Sequence, residues 1–157
     1  MKFLTALFFF TLFPVLAKAA VKTEVVEYKQ GDTVLEGFLA YDGSKRGKLP
    51  GVIIIHEWTG IGDYVKSRAK QLAEMGYVAF AADIYGKGVT AKDHAEAAKL
   101  AGIYKSDRRL MRARAQAAFD VLKARPQVNG SKIAAMGYCF GGTTALELAR
   151  SGAPLVG

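Results

Sequence analysis

The residues with the most chemistry in this sequence are Gly137-Tyr138-Cys139-Phe140-Gly141, inside KIAAMGYCFGGTTALELAR, Lys132 to Arg150. The stretch passes from an apolar segment, over a glycine-flanked cysteine, into a helical pattern. G-x-nucleophile-x-G is the spacing of a nucleophile elbow, in which a strand turns abruptly into a helix and holds its central residue at the tip. Glycines two positions to either side let the neighbouring backbones pass closely. Cys139 would stand at a helix N-terminus, where the dipole favours thiolate, and the N–H of Phe140 would point to where an oxyanion forms. Such a thiol can attack an acyl carbonyl.

Other uses of the corner fit less well. A dinucleotide-binding turn wants G-x-G-x-x-G, and GYCFGG lacks the second glycine in its place. A phosphate-cradling loop wants a lysine before its Ser/Thr, and GGTTA has none. What remains beside the elbow is a tight strand-to-helix turn with an incidental cysteine, since free cysteine is an ordinary small core residue.

The chain opens MKFLTALFFFTLFPVLAKAA. Lys2, the apolar run Phe3 to Leu16 and the small-x-small triplet Ala17-Lys18-Ala19 form the plan of a secretory signal peptide cut after Ala19. The run is short for a bilayer span, so neither a membrane anchor nor lasting membrane association is expected. Removing residues 1–19 leaves 157 − 19 = 138 residues, and the loss of Lys2 and Lys18 takes the formal charge from +8 to +6. An exported product, periplasmic or secreted, with one cysteine can make no internal disulfide. The densest basic cluster, Arg108, Arg109, Arg112 and Arg114, is expected on a solvated helix face, because no aromatic interleaving points to nucleic acid.

The 138 residues read as one domain. A hairpin turns at Gln30-Gly31-Asp32; Val52 to Ile55, Tyr77 to Asp83 and the KIAAMGY segment are apolar runs without alternation, as in strands buried on both faces. Between them Asp63 is expected to cap a helix with Val65, Ala69, Leu72 and Ala73 on one side, ended by Gly76. A short alanine-rich helix follows a glycine-broken loop. Asp107 then caps a longer helix with Leu110, Ala113, Ala117 and Val121 inward, stopped at Pro126. Alternation of buried strands and helices predicts a mostly parallel sheet covered on both faces.

GYCFGG together with PGVIIIHEWTG and GYVAFAADIYGKG resembles the dienelactone hydrolase family, a cysteine branch of the α/β-hydrolase fold, over essentially all of residues 20–157. The resemblance implies Cys139 as nucleophile, an oxyanion hole from the N–H groups of Trp58 and Phe140, and Glu57 as the carboxylate that interacts with the resting thiol. It implies a small ester or lactone substrate and no cofactor. Two lone histidines without further ligands point to no metal site. The oligomeric state is left open, with a monomer favoured for the full-length protein. Lys87 stands where members acting on dienelactone carry an arginine that holds the substrate carboxylate. A lysine offers a point charge without the bidentate fork, so a different ester, lactone or acyl compound is expected.

The two histidines are set aside. His94 lies on a short helix and is expected to face solvent, and His56 to shape the oxyanion loop rather than act as a base. Asp83 is expected to orient its own loop. After Cys139 the sequence contains one acid, Glu147, and no histidine, whereas the fold places acid and histidine after the nucleophile. APLVG reads as the entry to a further strand, so the sequence is expected to be the front part of a longer enzyme. By itself it would be inactive and would leave the elbow strand as an exposed edge. The alternative is an inactive module on the same fold that binds ligands or uses the thiol for redox sensing.

Overall fold

The computed structural model describes residues 20–157; the expected signal peptide, residues 1–19, lies outside the described residues. Strands β1 (Val21–Gln30) and β2 (Thr33–Asp42) form an antiparallel hairpin, in register from Val21 opposite Asp42 to Gln30 opposite Thr33. β3 (Leu49–Ile55), helix α1 (Asp63–Glu74), β4 (Val78–Ala82), α2 (His94–Ser106), α3 (Arg108–Lys123), β5 (Val128–Gly137) and α4 (Phe140–Arg150) follow. The sheet order is β1-β2-β4-β3-β5. β3 lies between β4 and β5, parallel to both, and β2 joins β4 antiparallel.

The unbroken apolar runs have a simple cause. Alternate residues of β3 and β4 enter different cores, because side chains of a strand point to opposite faces. Val52, Ile54, Ala79 and Ala81 pack with Val65, Ala69 and Ala73 of α1 on one side. Ile53, Ile55, Val78, Phe80 and Ala82 pack on the other with Met111, Ala115, Phe119 and Leu122 of α3 and with Phe140 and Leu148 of α4.

Two helix details differ from expectation. The N-cap of α1 is Gly62, without a side-chain bond; Asp63 is the first helical residue and offers its charge to the dipole instead. In α3 the inward face is Met111, Ala115, Ala118, Phe119 and Leu122, one residue around from the expected stripe, because that face buries the larger side chains; Leu110, Ala117 and Val121 flank it. Asp107 does cap α3, accepting the Leu110 N–H at 2.9 Å.

The basic cluster does not share one solvated face. Arg108 and Arg109 are exposed, but Arg112 pairs with Glu147 of α4, and Arg114 is buried. Arg114 donates to the Gln30 carbonyl at 3.2 Å and to Thr33 Oγ1 at 2.8 Å, fastening the hairpin turn to α3. On the far side of β5 the last residues begin to pair: Val156 N–H donates to Ile133 O and Ala135 N–H to Gly157 O, each at 2.9 Å. The edge expected to be bare is thus partly occupied by the segment that reads as a strand entry.

Buried Arg114 and exposed Arg109 should behave oppositely when truncated. Arg114→Ala strands two hairpin acceptors and should cost about 1–3 kcal/mol in urea unfolding, whereas Arg109→Ala should stay within about 0.5 kcal/mol of the parent.

Candidate active site

The corner at the end of β5 has the backbone of an elbow. Cys139 has φ 54° and ψ −111°, and it is the one non-glycine residue with positive φ among the described residues. A non-glycine residue pays for that conformation, so the surrounding packing must impose it. The flanking glycines show how. A methyl group on Gly137 would lie 2.1 Å from the Gly141 carbonyl carbon, and one on Gly141 would lie 2.2 Å from Ile55 O and 2.7 Å from His56 O. The first turn of α4 therefore rests directly on the end of β3, and the Tyr138 N–H donates to Ile55 O at 3.3 Å. The thiol at the tip is free and exposed.

That close approach brings the residues after β3 beside the elbow. Among the described residues no acceptor is found for the N–H of Trp58 or of Phe140. Trp58 packs against the core, and Phe140 is buried in it. Glu57 is half-buried, and its carboxylate makes no hydrogen bond or ion pair with another described residue.

His56 is completely buried, its ring 4.7 Å from that of Tyr85 and stacked 5.9 Å from that of Phe140. Its Nε2 accepts the Ile84 N–H at 3.3 Å, which puts the proton on Nδ1, 2.5 Å from the Glu57 carbonyl. Burial pushes its pKa down, against the smaller opposing effects of the Glu57 carbonyl and Asp83. With both nitrogens committed, this imidazole braces the turn and offers no lone pair to a substrate.

Asp83 does orient its loop: Oδ1 accepts the N–H of Tyr85 at 2.9 Å and of Gly86 at 3.0 Å, and Oδ2 accepts that of Glu36 at 3.0 Å. His94 is exposed, as expected, with its ring 5.4 Å from that of Trp58. Lys87 forms an ion pair with Glu27, and its Nζ lies 3.8 Å from Glu36, so the charge is engaged by the hairpin. Glu147 is likewise taken; Arg112 first and then Arg150 hold its carboxyl below the usual range. No group of three or more His, Cys, Asp or Glu side chains that could hold a metal occurs among the described residues.

Sequence reasoning did not single out three tyrosines. The Tyr28 hydroxyl accepts the Asp83 N–H at 3.0 Å and donates to the Asp83 carbonyl at 2.9 Å. The Tyr104 hydroxyl donates to Tyr85 O at 3.1 Å, and the Tyr85 hydroxyl donates to Trp58 O at 2.9 Å. Burial raises the pKa of Tyr85, with Tyr104 and then Cys139 adding to it. The only advance sign was the quoted DIYGKG, and no periodicity distinguished its tyrosine.

A pH signature follows from His56. Its folded pKa lies below the ordinary 6.5, so the unfolded chain takes up a proton that the folded protein refuses. Its neutral burial adds no penalty above pH 6.5, and stability falls as pH drops from there towards the folded value, by at most about 1.4 kcal/mol per pH unit. His56→Gln should remove that part of the acid slope when denaturation midpoints are compared across the weakly acidic range; an unchanged slope would show that His56 does not supply it.

Comparison with known proteins gives one answer. The dienelactone hydrolase family matches residues 35–157. Protein usf of Aquifex pyrophilus is 30% identical over 130 residues, covering 80% of this chain and 54% of that protein. A probable 2-oxo-3-(5-oxofuran-2-ylidene)propanoate lactonase of Bradyrhizobium sp. is 33% identical over 106 residues, covering 67% of this chain and 42% of that protein. The solved structure m3DLH superposes with a TM-score of 0.85 at 44% identity, covering 87% of this chain and 57% of its own. A dienelactone hydrolase-like promiscuous phosphotriesterase from metagenomic libraries gives 0.82 at 45% identity, covering 86% and 56%. The chain spans about half the length of the curated relatives it matches. With its mixed sheet, two helical layers and strand-to-helix corner, this chain belongs to the dienelactone hydrolase family and carries the α/β-hydrolase fold.

Proposed function

We propose that these residues are the nucleophile-bearing part of an exported hydrolase of small esters or lactones. The observation that carries the reading is the exposed thiol of Cys139, held at φ 54° on a corner where the N–H groups of Trp58 and Phe140 have no acceptor among the described residues. In the proposed cycle the sulfur attacks the substrate carbonyl carbon, and the electron pair moves to oxygen. The two N–H groups stabilise that oxyanion, worth about 3 kcal/mol per donor in a dry site. Collapse expels the alkoxide, which takes up a proton, and leaves an acyl-thioester. Water then cleaves the thioester, releasing the acid and restoring the thiol.

The base for both steps would come from outside these 157 residues. His56 has both nitrogens engaged, and Glu147 is held by two arginines. Glu57, whose carboxylate has no partner among the described residues, would interact with the resting thiol. Lys87 would have to leave Glu27 to meet a substrate carboxylate, which favours neutral esters and lactones. The reading extends to this chain what the Bradyrhizobium relative's name says of that protein.

In the protein as its gene encodes it, Cys139→Ala should lower p-nitrophenyl acetate turnover by at least about a thousandfold with the fold retained. Turnover surviving in Cys139→Ala would remove the cysteine from the mechanism. No turnover in the parent, with a thiol that oxidises reversibly, would favour the redox module. For export, Edman sequencing of the protein from its source should begin at Ala20; a chain beginning at Met1 would contradict it.

A further inference from the structure

We propose that Tyr85 is a positioning residue for oxyanion stabilisation, holding the Trp58 turn so that its N–H is aimed before substrate arrives. The inference rests on the proposed hydrolase reading and adds a residue that the reading does not use. The segment Asp83–Gly86 leaves β4 without a sheet partner, and buried side chains satisfy its backbone instead. Asp83 N–H and C=O both meet the Tyr28 hydroxyl, Ile84 N–H meets His56, Tyr85 N–H and Gly86 N–H meet the Asp83 carboxylate, and Tyr85 C=O meets the Tyr104 hydroxyl. Six hydrogen bonds from four side chains to these four residues fix one thing above all, the placement of the Tyr85 ring.

That ring is also packed on three sides, edge-on to His56 at 4.7 Å, stacked on Tyr104 at 5.3 Å and tilted against Phe140 at 5.4 Å. Its hydroxyl can therefore reach one place, and it donates to Trp58 O at 2.9 Å. The other bonds on the turn fall on its neighbours: His56 Nδ1 reaches Glu57 O at 2.5 Å, Gly60 N–H reaches the same carbonyl at a long 3.3 Å, and Ala91 N–H reaches Thr59 O at 3.0 Å. The Trp58 N–H shares its peptide plane with the Glu57 carbonyl, which His56 Nδ1 holds at 2.5 Å. Tyr85 holds the next plane through the Trp58 carbonyl, so the two anchors together fix the backbone rotation of Trp58 and with it the direction of its N–H. Donors aimed in advance stabilise a developing charge without reorganising at the moment of reaction. Phe140 needs no such brace, because its N–H belongs to the first turn of α4.

The test is Tyr85→Phe in the full gene product, which keeps the ring and its packing and removes one hydroxyl. kcat for p-nitrophenyl acetate should fall roughly 10- to 100-fold, the range for supports behind a reacting group, with KM changed less than about twofold because ground-state contacts survive. Amide exchange at Trp58, Thr59 and Gly60 should accelerate while α4 stays as protected as in the parent. Unchanged kcat, or a change confined to KM, overturns the proposal. So does faster exchange spread over the whole domain, which would make the hydroxyl a general stability element. A parent enzyme whose turnover survives Cys139→Ala instead removes the hydrolase reading, and this inference falls with it.

Discussion

The site depends on a contact between two backbones. α4 starts so close to the end of β3 that a single methyl group at Gly141 would sit 2.2 Å from the Ile55 carbonyl oxygen. This approach forces Cys139 into its positive φ, leaves the thiol outermost and sets the first turn of a helix beside the residues that follow β3. Glycine is required by space here, on both sides of Cys139. The parallel pairing of β3 with β5, register to register from Gly51 opposite Ile133 to Ile55 opposite Gly137, brings the two strand ends level so that the contact can form.

Around that contact the protein solves a second problem, how to bury irregular backbone. The turn after β3 and the loop after β4 meet through buried polar side chains, and an unpaired buried N–H or C=O would cost about 1–3 kcal/mol. Tyr28, His56, Asp83, Tyr85 and Tyr104 provide the missing partners. The three tyrosines are polar only at the tip and otherwise pack into the larger of the two cores, so their part of the network costs little apolar burial. Arg114 carries the same logic to the hairpin, tying its turn to α3 from inside the fold.

The order of strands and helices was readable in the sequence because it follows from hydrophobic pattern. β3 and β4 lie between two cores and so show no alternation, and Asp107 announces α3 by its capping chemistry. The elbow was readable because G-x-C-x-G has few other physical uses. Features that depend on distant partners were not. The inward face of α3 is set by what Phe119 and Met111 meet across the sheet, which the local stripe of Leu110 and Val121 does not reveal. Arg114 sits among exposed arginines in sequence and is separated from them only by where the hairpin turn lands. Tyr85 has no local signature either, since its importance lies in a hydroxyl that reaches Trp58, far from it in the chain.

These relations make Cys139 the centre of the account. The direct measurement is peptide mass spectrometry after rapid acid quench of the full gene product mixed with p-nitrophenyl acetate. The account predicts one acetyl group, carried by the sulfur of Cys139 and lost again as turnover proceeds. Ester cleavage with no acyl group on Cys139, or with the acetyl group on another residue, would contradict it.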